Sequence, residues 1–319
     1  MRVLITGASG FAGGWLARAC AQAGDEVKGV SRSGGLPEGC GLGVALDLAD
    51  GESLTQLLEQ VRPEVVYHLA ALSHVGRSWD DPQATLAVNS TAAASVLQAV
   101  IRAAPQARLV WASSGEVYGS EGSLPLDEDA PIRPENPYAV SKAAGDLLAG
   151  VYAQARGLRI VRARAFAHAG PGQRDIFLIS SLAKQAATAR VAGAQRLEIR
   201  TGRAETRREV TDVRDVVEAY RLLAQEDVAP GVYNVCSGAS SSTAERVAAV
   251  ARAIAPIEVE HVVDPALVRL HEVPDLRGSY ARLHAATGWE PRITLEQTLA
   301  DTIAWWEGRL DGGGQRAAA

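Results

Sequence analysis

The stretch VLITGASGFAGGWLARA, residues 3–19, constrains the fold most. It places Gly7, Gly10 and Gly13 between a short apolar run and an amphipathic one. A strand that enters a helix through three glycines reads as the start of a dinucleotide-binding unit. Gly7 permits a tight turn, Gly10 lets backbone approach a pyrophosphate at the positive helix end, and Gly13 lets helix and strand pack closely. The spacing is GxxGxxG, one residue longer between the first two glycines than GxGxxG. A glycine-rich turn with no ligand is the other reading. The position directly after the first strand favours the dinucleotide.

The rest of the first half agrees. Strand-like runs at 3–5, 26–30, 43–46, 65–69, 109–112 and 159–164 alternate with helical patterns at 11–23, 53–61, 82–104 and 138–156. This predicts an α/β fold, a doubly wound parallel sheet with helices on both faces. Beyond Gly170 the rhythm changes. A helix over 177–192 leads to a strand over 197–200. EVTDVRDVVEAYRLLAQ reads as strand, cap at Thr211 or Asp212, and helix. GVYNVCS reads as a strand returning to the main sheet, and helices follow at 244–255, 280–287 and 295–309. The expected organisation is a dinucleotide-binding domain over 1–169 with 209–237 returning to it. A smaller α/β lobe covers 170–208 and 238–310, and a disordered tail 311–319.

Composition narrows the function. The 319 residues are 47% hydrophobic, enough for a large core. A formal net charge of −5 offers no basic footprint for nucleic acid. No apolar run is read as approaching a membrane span, and MRVLITG enters a strand at once, so neither membrane nor signal peptide is expected. Cys20, Cys40 and Cys236 are isolated, which points to free thiols and a cytoplasmic setting. The histidines show no ligand spacing, so no metal is expected.

Two further stretches carry chemistry. The second strand ends in Ser31, Arg32 and Ser33, where an NAD site usually offers a carboxylate. A guanidinium and two hydroxyls suit a 2′-phosphate, favouring NADP over NAD; otherwise Arg32 is a solvated loop charge. Asp47 either bonds the adenine amino group or caps a turn. Residues 113–144 read SSGEVYGSEGSLPLDEDAPIRPENPYAVSKAA. Tyr138 and Lys142 stand four apart, so they share a helix face. An ammonium near a phenol lowers the phenol's pKa and makes it a proton donor or acceptor. Ser114 can bond the same substrate oxygen. Alone, YxxxK is also a common surface pattern.

TGASGFAG, HLAA, SSGEVYG and YAVSK resemble the extended short-chain dehydrogenase/reductases acting on nucleotide-sugars, over nearly the whole chain. HLAALSHVGRSWDDPQATLAVN, GPGQ, TDVRDVVEAY, VYNVCSG and TGWEPRITLEQTLADTIAWW are similar to GDP-6-deoxy-D-mannose reductases and GDP-mannose 4,6-dehydratases. The short chain and DPALVRLHEVPDLRGS bring it nearer the reductases.

The resemblance implies a catalytic trio of Ser114, Tyr138 and Lys142, with Lys142 also on the nicotinamide ribose. Ser9, Phe11, Ala12, Leu48, Leu69, Ala70 and Ala71 would line the cofactor, with Asn89 on the helix behind. Ser73 and Glu116 would face the sugar, His168 and Phe177 would lie on the substrate side, and Glu272 would hold the nucleoside ribose. Arg208 and Arg269 would hold a diphosphate, the task that paired guanidiniums suit; surface salt bridges are the other reading.

The implied reaction is hydride transfer to C4 of a 4-keto-6-deoxy nucleotide-sugar. A 4,6-dehydratase or epimerase that recycles its cofactor is the alternative, with Glu116 as the extra acid/base carboxylate. A non-catalytic protein that senses NADP or binds a partner is the alternative of another class. The resemblance also implies a homodimer through helices 82–104 and 138–156. Departures cluster on the substrate side: Ala165 and Ala167 in RAFAH, Arg203 and Ala204 after Gly202, Glu209 and Val210 after Arg208, and Leu270. They imply conserved chemistry with a drifted substrate.

Overall fold

The computed structural model describes residues 1–268 and 273–316. The first part runs β1 (Arg2–Thr6), α1 (Phe11–Gln22), β2 (Glu26–Ser31), β3 (Leu42–Ala45), α2 (Gly51–Val61), β4 (Val65–His68), α3 (Val75–Asp80) and α4 (Pro82–Leu86). It continues with α5 (Ala93–Ala103), β5 (Arg108–Ser114), α6 (Pro137–Arg156), β6 (Ile160–Ala165), β7 (His168–Ala169) and α7 (Leu178–Val191). Then come β8 (Arg196–Thr201), β9 (Arg207–Glu209), β10 (Thr211–Asp212), α8 (Val213–Leu223), β11 (Gly231–Val235) and β12 (Ser240–Ser242). The last elements are α9 (Thr243–Ala253), β13 (Glu258–Val263), β14 (Asp275–Leu276), α10 (Ala281–Thr287) and α11 (Leu295–Arg316).

The main sheet has the order β11-β6-β5-β4-β1-β2-β3, with every pair parallel. Strand order reverses between β1 and β4, the switch point where such sheets bind ligands. The central strands are buried along nearly their whole length, as parallel strands covered on both faces must be. Leu4, Val66, Leu109, Trp111 and Ile160 meet α2 and α5 residues on one face. By strand alternation Val3, Ile5, Tyr67 and Val110 face the other way.

The chain divides into two compact units. Unit 1 comprises 1–166, 216–235 and 278–290; unit 2 comprises 167–215, 236–277 and 291–319. GVYNVCS supplies β11, which joins the main sheet beside β6. The units differ from the expected division: 167–169, 209–215 and 236–237 fall in unit 2, and 278–290 falls in unit 1. Hydrogen bonds explain the last of these: Ser279 N donates to Leu126 O at 2.8 Å, Asn234 Nδ2 to Ser279 O at 3.3 Å, and Arg282 to Asp129 at 2.9 Å. Unit 2 packs α7, α9 and α11 around Leu182, Ala186, Ile199, Val250, Leu299 and Ile303. The last helix runs on to Arg316, so 311–316 is helical rather than disordered. Extending an existing helix gains a hydrogen bond for each residue fixed.

Helix 82–103 departs from expectation twice. It is long and apolar enough, by length and composition, to cross a membrane. Its alanines supply that apolarity, while Ala93, Val96, Leu97 and Val100 are buried in the core beside the sheet. It is also interrupted by a π turn over Ala87–Ala92 that carries Asn89. A π turn inserts one residue into the helical repeat. Here it accompanies an Asn89 side chain that reaches out to Leu72 and Ser141.

Candidate active site

The β1–α1 turn depends on missing side chains. Gly7 has φ +74°, and a Cβ there would sit 2.7 Å from Ala70 N. A Cβ on Gly13 would sit 2.2 Å from Gly7 O. Gly10 is the N-cap of α1 and no side chain caps the helix, so its first amides suit an anion. Ser9 is exposed beside them, and Phe11 and Ala12 open the helix half-buried. This cradle fits a dinucleotide pyrophosphate.

At the end of β2, Ser31 is half-buried, whereas Arg32 and Ser33 are exposed. Arg32 forms no ion pair among the described residues. Ser33 Oγ accepts Gly35 N at 3.4 Å. Asp47 Oδ1 accepts Ala49 N at 3.0 Å, which is the turn-capping reading of that residue, and Leu48 is half-buried beside it. Thr6 fixes the strand leaving β4: its Oγ1 accepts Ala70 N at 3.3 Å and lies 2.9 Å from His68 Nδ1. Burial, then the Lys142 charge, lowers His68 to about 3, so its imidazole is neutral. Leu69, Ala70 and Ala71 follow it directly, and Ser73 is exposed at the end of that loop.

Asn89 closes the other side. Its Oδ1 accepts Leu72 N at 2.8 Å, and its Nδ2 donates to Ser141 Oγ at 2.9 Å. Ser141 Oγ in turn donates to Tyr138 O at 2.7 Å. One buried amide thus links the loop after β4 to the helix that carries Tyr138 and Lys142.

That helix, α6, starts from Asn136, whose Oδ1 accepts Ala139 N at 2.8 Å, with Pro137 in the first turn and Gly157 ending it at φ +66°. Asn136 Nδ2 also donates to Glu116 Oε2 at 3.2 Å. A single side chain therefore caps the helix that carries Tyr138 and Lys142 and holds the glutamate. Sequence reasoning missed Asn136, although the Asn-Pro pair ahead of the helix was its signal.

Ser114 ends β5, and its Oγ accepts Glu116 N at 3.2 Å. It also acts to lower the pKa of the Tyr138 phenol. The expected lowering of the Tyr138 pKa by Lys142 is corrected. Burial pushes the phenol up to about 12, Ser114 opposes the rise, and Glu116 adds to it. Lys142 Nζ donates instead to the Ala112 carbonyl, and burial lowers its own pKa to about 8 while Asp146 raises it. The strand carbonyl satisfies the ammonium. The structure therefore brings together Ser114, Glu116, Tyr138, Lys142 and Asn89.

A buried ionic cluster lies one turn beyond Lys142. Asp146 accepts from Arg164 Nε and Nη2, both at 3.0 Å, and from Arg162 Nη1 at 3.1 Å. Arg164 Nη1 donates to Tyr118 Oη at 3.0 Å, and Tyr118 donates to Asn234 Oδ1 at 2.7 Å. Asn234 Nδ2 holds the loop at Leu126 O at 3.1 Å.

In unit 2, His168 lies on β7 and its carbonyl accepts Gln173 Nε2 at 2.9 Å. Phe177 is the N-cap residue of α7. Arg208 lies on β9 and donates from Nη1 to Arg207 O and Val273 O. Arg269, Leu270 and Glu272 lie outside the described residues. Cys20, Cys40 and Cys236 are buried and joined in no disulfide among the described residues. Among the described residues no His, Cys, Asp and Glu side chains cluster for a metal ion.

Residues 4–302 match the family model described as GDP-mannose 4,6 dehydratase. The chain belongs to this family of extended short-chain dehydrogenase/reductases. This dehydrogenase/reductase is 40% identical over 266 residues to a GDP-6-deoxy-D-mannose reductase of Pseudomonas aeruginosa, covering 83% of this chain and 86% of that protein. Among solved structures it resembles RMD from Pseudomonas aeruginosa complexed with NADPH. The TM-score is 0.83 at 36% identity, over 97% of this chain and 100% of that one. It also resembles the UDP-glucose 4-epimerase of Thermus thermophilus in complex with NAD, with a TM-score of 0.84 at 28% identity, over 97% and 99% of the two chains. The extended dehydrogenase/reductase fold is thus shared by relatives with reductase, dehydratase and epimerase names.

Proposed function

We propose that this protein is an NADP-dependent nucleotide-sugar reductase that reduces the 4-keto group of a 4-keto-6-deoxy sugar carried on a nucleoside diphosphate, with GDP as the nucleotide. The observation that carries the reading is the Tyr138 phenol. With a pKa pushed up to about 12 by burial, the phenol is fully protonated at neutral pH. It is a proton donor waiting for a developing alkoxide, which ketone reduction supplies. The reductase name of the 40%-identical relative supports the same reading.

The turn at Gly7–Gly13 would hold the pyrophosphate, and Ser31, Arg32 and Ser33 the 2′-phosphate that distinguishes NADP from NAD. NADPH, when bound, supplies the hydride. The chain's own residues do the rest. Ser114 orients the ketone oxygen and Tyr138 Oη gives it a proton. Lys142, held on the strand carbonyl, would reach the nicotinamide ribose. Glu116, tethered by Asn136, bonds a sugar hydroxyl. On unit 2, Arg208 would hold the substrate diphosphate.

Mixing NADPH with GDP-4-keto-6-deoxy-mannose tests the reading. One NADPH is expected to be oxidised for each sugar reduced. Conversion with unchanged absorbance at the NADPH band would point to recycled cofactor, as in a dehydratase or epimerase, and no conversion to a non-catalytic member of the fold.

The pKa of Lys142 sets a pH dependence. The ammonium is charged below about 8 and neutral above it. The kcat/KM for the ketone is therefore expected to be level below that value and to fall as pH rises through it. Lys142→Met should remove this limb along with most of the activity. A profile flat to pH 10 in the wild type contradicts the assignment.

The protein is proposed to be a homodimer. Val140, Leu147 and Val151 form one stripe along α6, and Leu147 and Val151 are 51% and 59% exposed. Trp79 of α3 and Leu86 of α4 add exposed apolar surface on helices packed against α6. A stripe of this kind suits a two-fold contact with its own copy. Light scattering is expected to give a dimer, and Leu147→Glu with Val151→Glu a monomer; a wild-type monomer at micromolar concentration contradicts the proposal.

A further inference from the structure

Unit 2 contains a guanidinium in a place that local rules disfavour. Arg246 is 3% exposed and stands in the first turn of α9, at the positive end of the helix dipole. Burial, then the charges of Arg208 and Arg207, lower its pKa to about 10. Among the described residues it has no carboxylate ion pair. Its Nε donates to Ser241 Oγ at 2.9 Å and its Nη2 to the carbonyl of Arg208. The adjacent Glu245 is engaged elsewhere: Oε2 accepts Ser242 N at 2.7 Å and lies 3.1 Å from Arg207 Nη1. The Glu245 charge offsets the shift only in part; a buried guanidinium with no carboxylate bonded to it destabilises a fold, and an apolar side chain of similar length would fill the same space. Such a charge is explained if its counter-ion arrives with a ligand.

We propose that Arg246 is a positioning residue of an anion site on β9, holding Arg208 ready for the diphosphate of the nucleotide ligand. The inference rests on the reading of the protein as a nucleotide-sugar enzyme. Its hydrogen bond falls on the carbonyl of Arg208 itself, so it fixes the backbone from which that side chain leaves the strand. Its own charge adds to the field at the site without touching the ligand. Preorganised charge of this kind strengthens anion binding because little has to move when the ligand arrives.

The test is pyrophosphate binding to NADPH-saturated protein, since saturation blocks the cofactor's own diphosphate site. Wild type is expected to bind pyrophosphate and to melt higher in its presence. Arg246→Met is expected to melt at or above the ligand-free wild type and to keep its NADPH affinity. Its pyrophosphate affinity is expected to fall roughly tenfold or more, as for a lost charged hydrogen bond. Arg246→Lys should lie between the two. Three results overturn the inference: a wild type that does not bind pyrophosphate, a Met variant that binds it equally well, or a Met variant that melts lower or does not fold. If binding depends on Arg246 yet no 4-keto nucleotide-sugar is reduced, the proposed reaction fails and the anion site stands.

Discussion

Tyr138→Phe is expected to lower kcat for ketone reduction by about 10²–10⁴-fold, the range for loss of a positioned general acid. The phenol has no substitute in the site. Ser114 is a far weaker acid, with its Oγ accepting from Glu116 N, and Glu116 is held by Asn136. The phenylalanine ring keeps the packing, and Tyr138 meets the rest of unit 1 through its backbone, with N donating to Ser78 Oγ at 3.1 Å. NADPH affinity and melting temperature should therefore stay near wild type. Steady-state kinetics with NADPH fluorescence titration checks this. A variant that keeps more than a tenth of the wild-type rate would remove Tyr138 from the chemistry.

The second large effect concerns stability. Asp146 is fully buried and accepts hydrogen bonds from both Arg162 and Arg164. Asp146→Ala leaves Arg164, only 4% exposed, without its counter-charge. Breaking a buried pair in this way typically removes about 3–5 kcal/mol. Because Arg164 also bonds Tyr118, and Tyr118 bonds Asn234, the loss should spread to the loop at Leu126. Thermal and urea unfolding should show a melting point lower by on the order of 10 °C. A shift within a degree or two would mean that the cluster relaxes or hydrates freely.

Much of this was legible in the sequence because the glycine turn, the strand runs and the Tyr-Lys spacing are local patterns. Gly7 and Gly13 are fixed by contacts a few residues away or at the next strand, and β11 is an apolar run that can only sit in a sheet. What the sequence left hidden depends on side chains meeting from distant segments. Asn136 reads as a helix cap, yet its second bond to Glu116 spans 20 residues. The π turn at Asn89 follows from partners at Leu72 and Ser141 that no periodicity reports. The Tyr138 pKa went the opposite way from the simple i,i+4 argument because Lys142 finds the Ala112 carbonyl and burial dominates both groups. No local pattern singles out Arg246, and only its burial beside Arg207 and Arg208 sets it apart.

The central claim is net reduction at the sugar's C4. NADPH deuterated at C4 of the nicotinamide, incubated with GDP-4-keto-6-deoxy-mannose and the enzyme, tests it most directly, with the product read by NMR and NADP⁺ quantified. The account predicts deuterium at C4 of the sugar and one NADP⁺ formed for each product. Converted sugar without deuterium at C4, and with the NADPH pool intact, would contradict it.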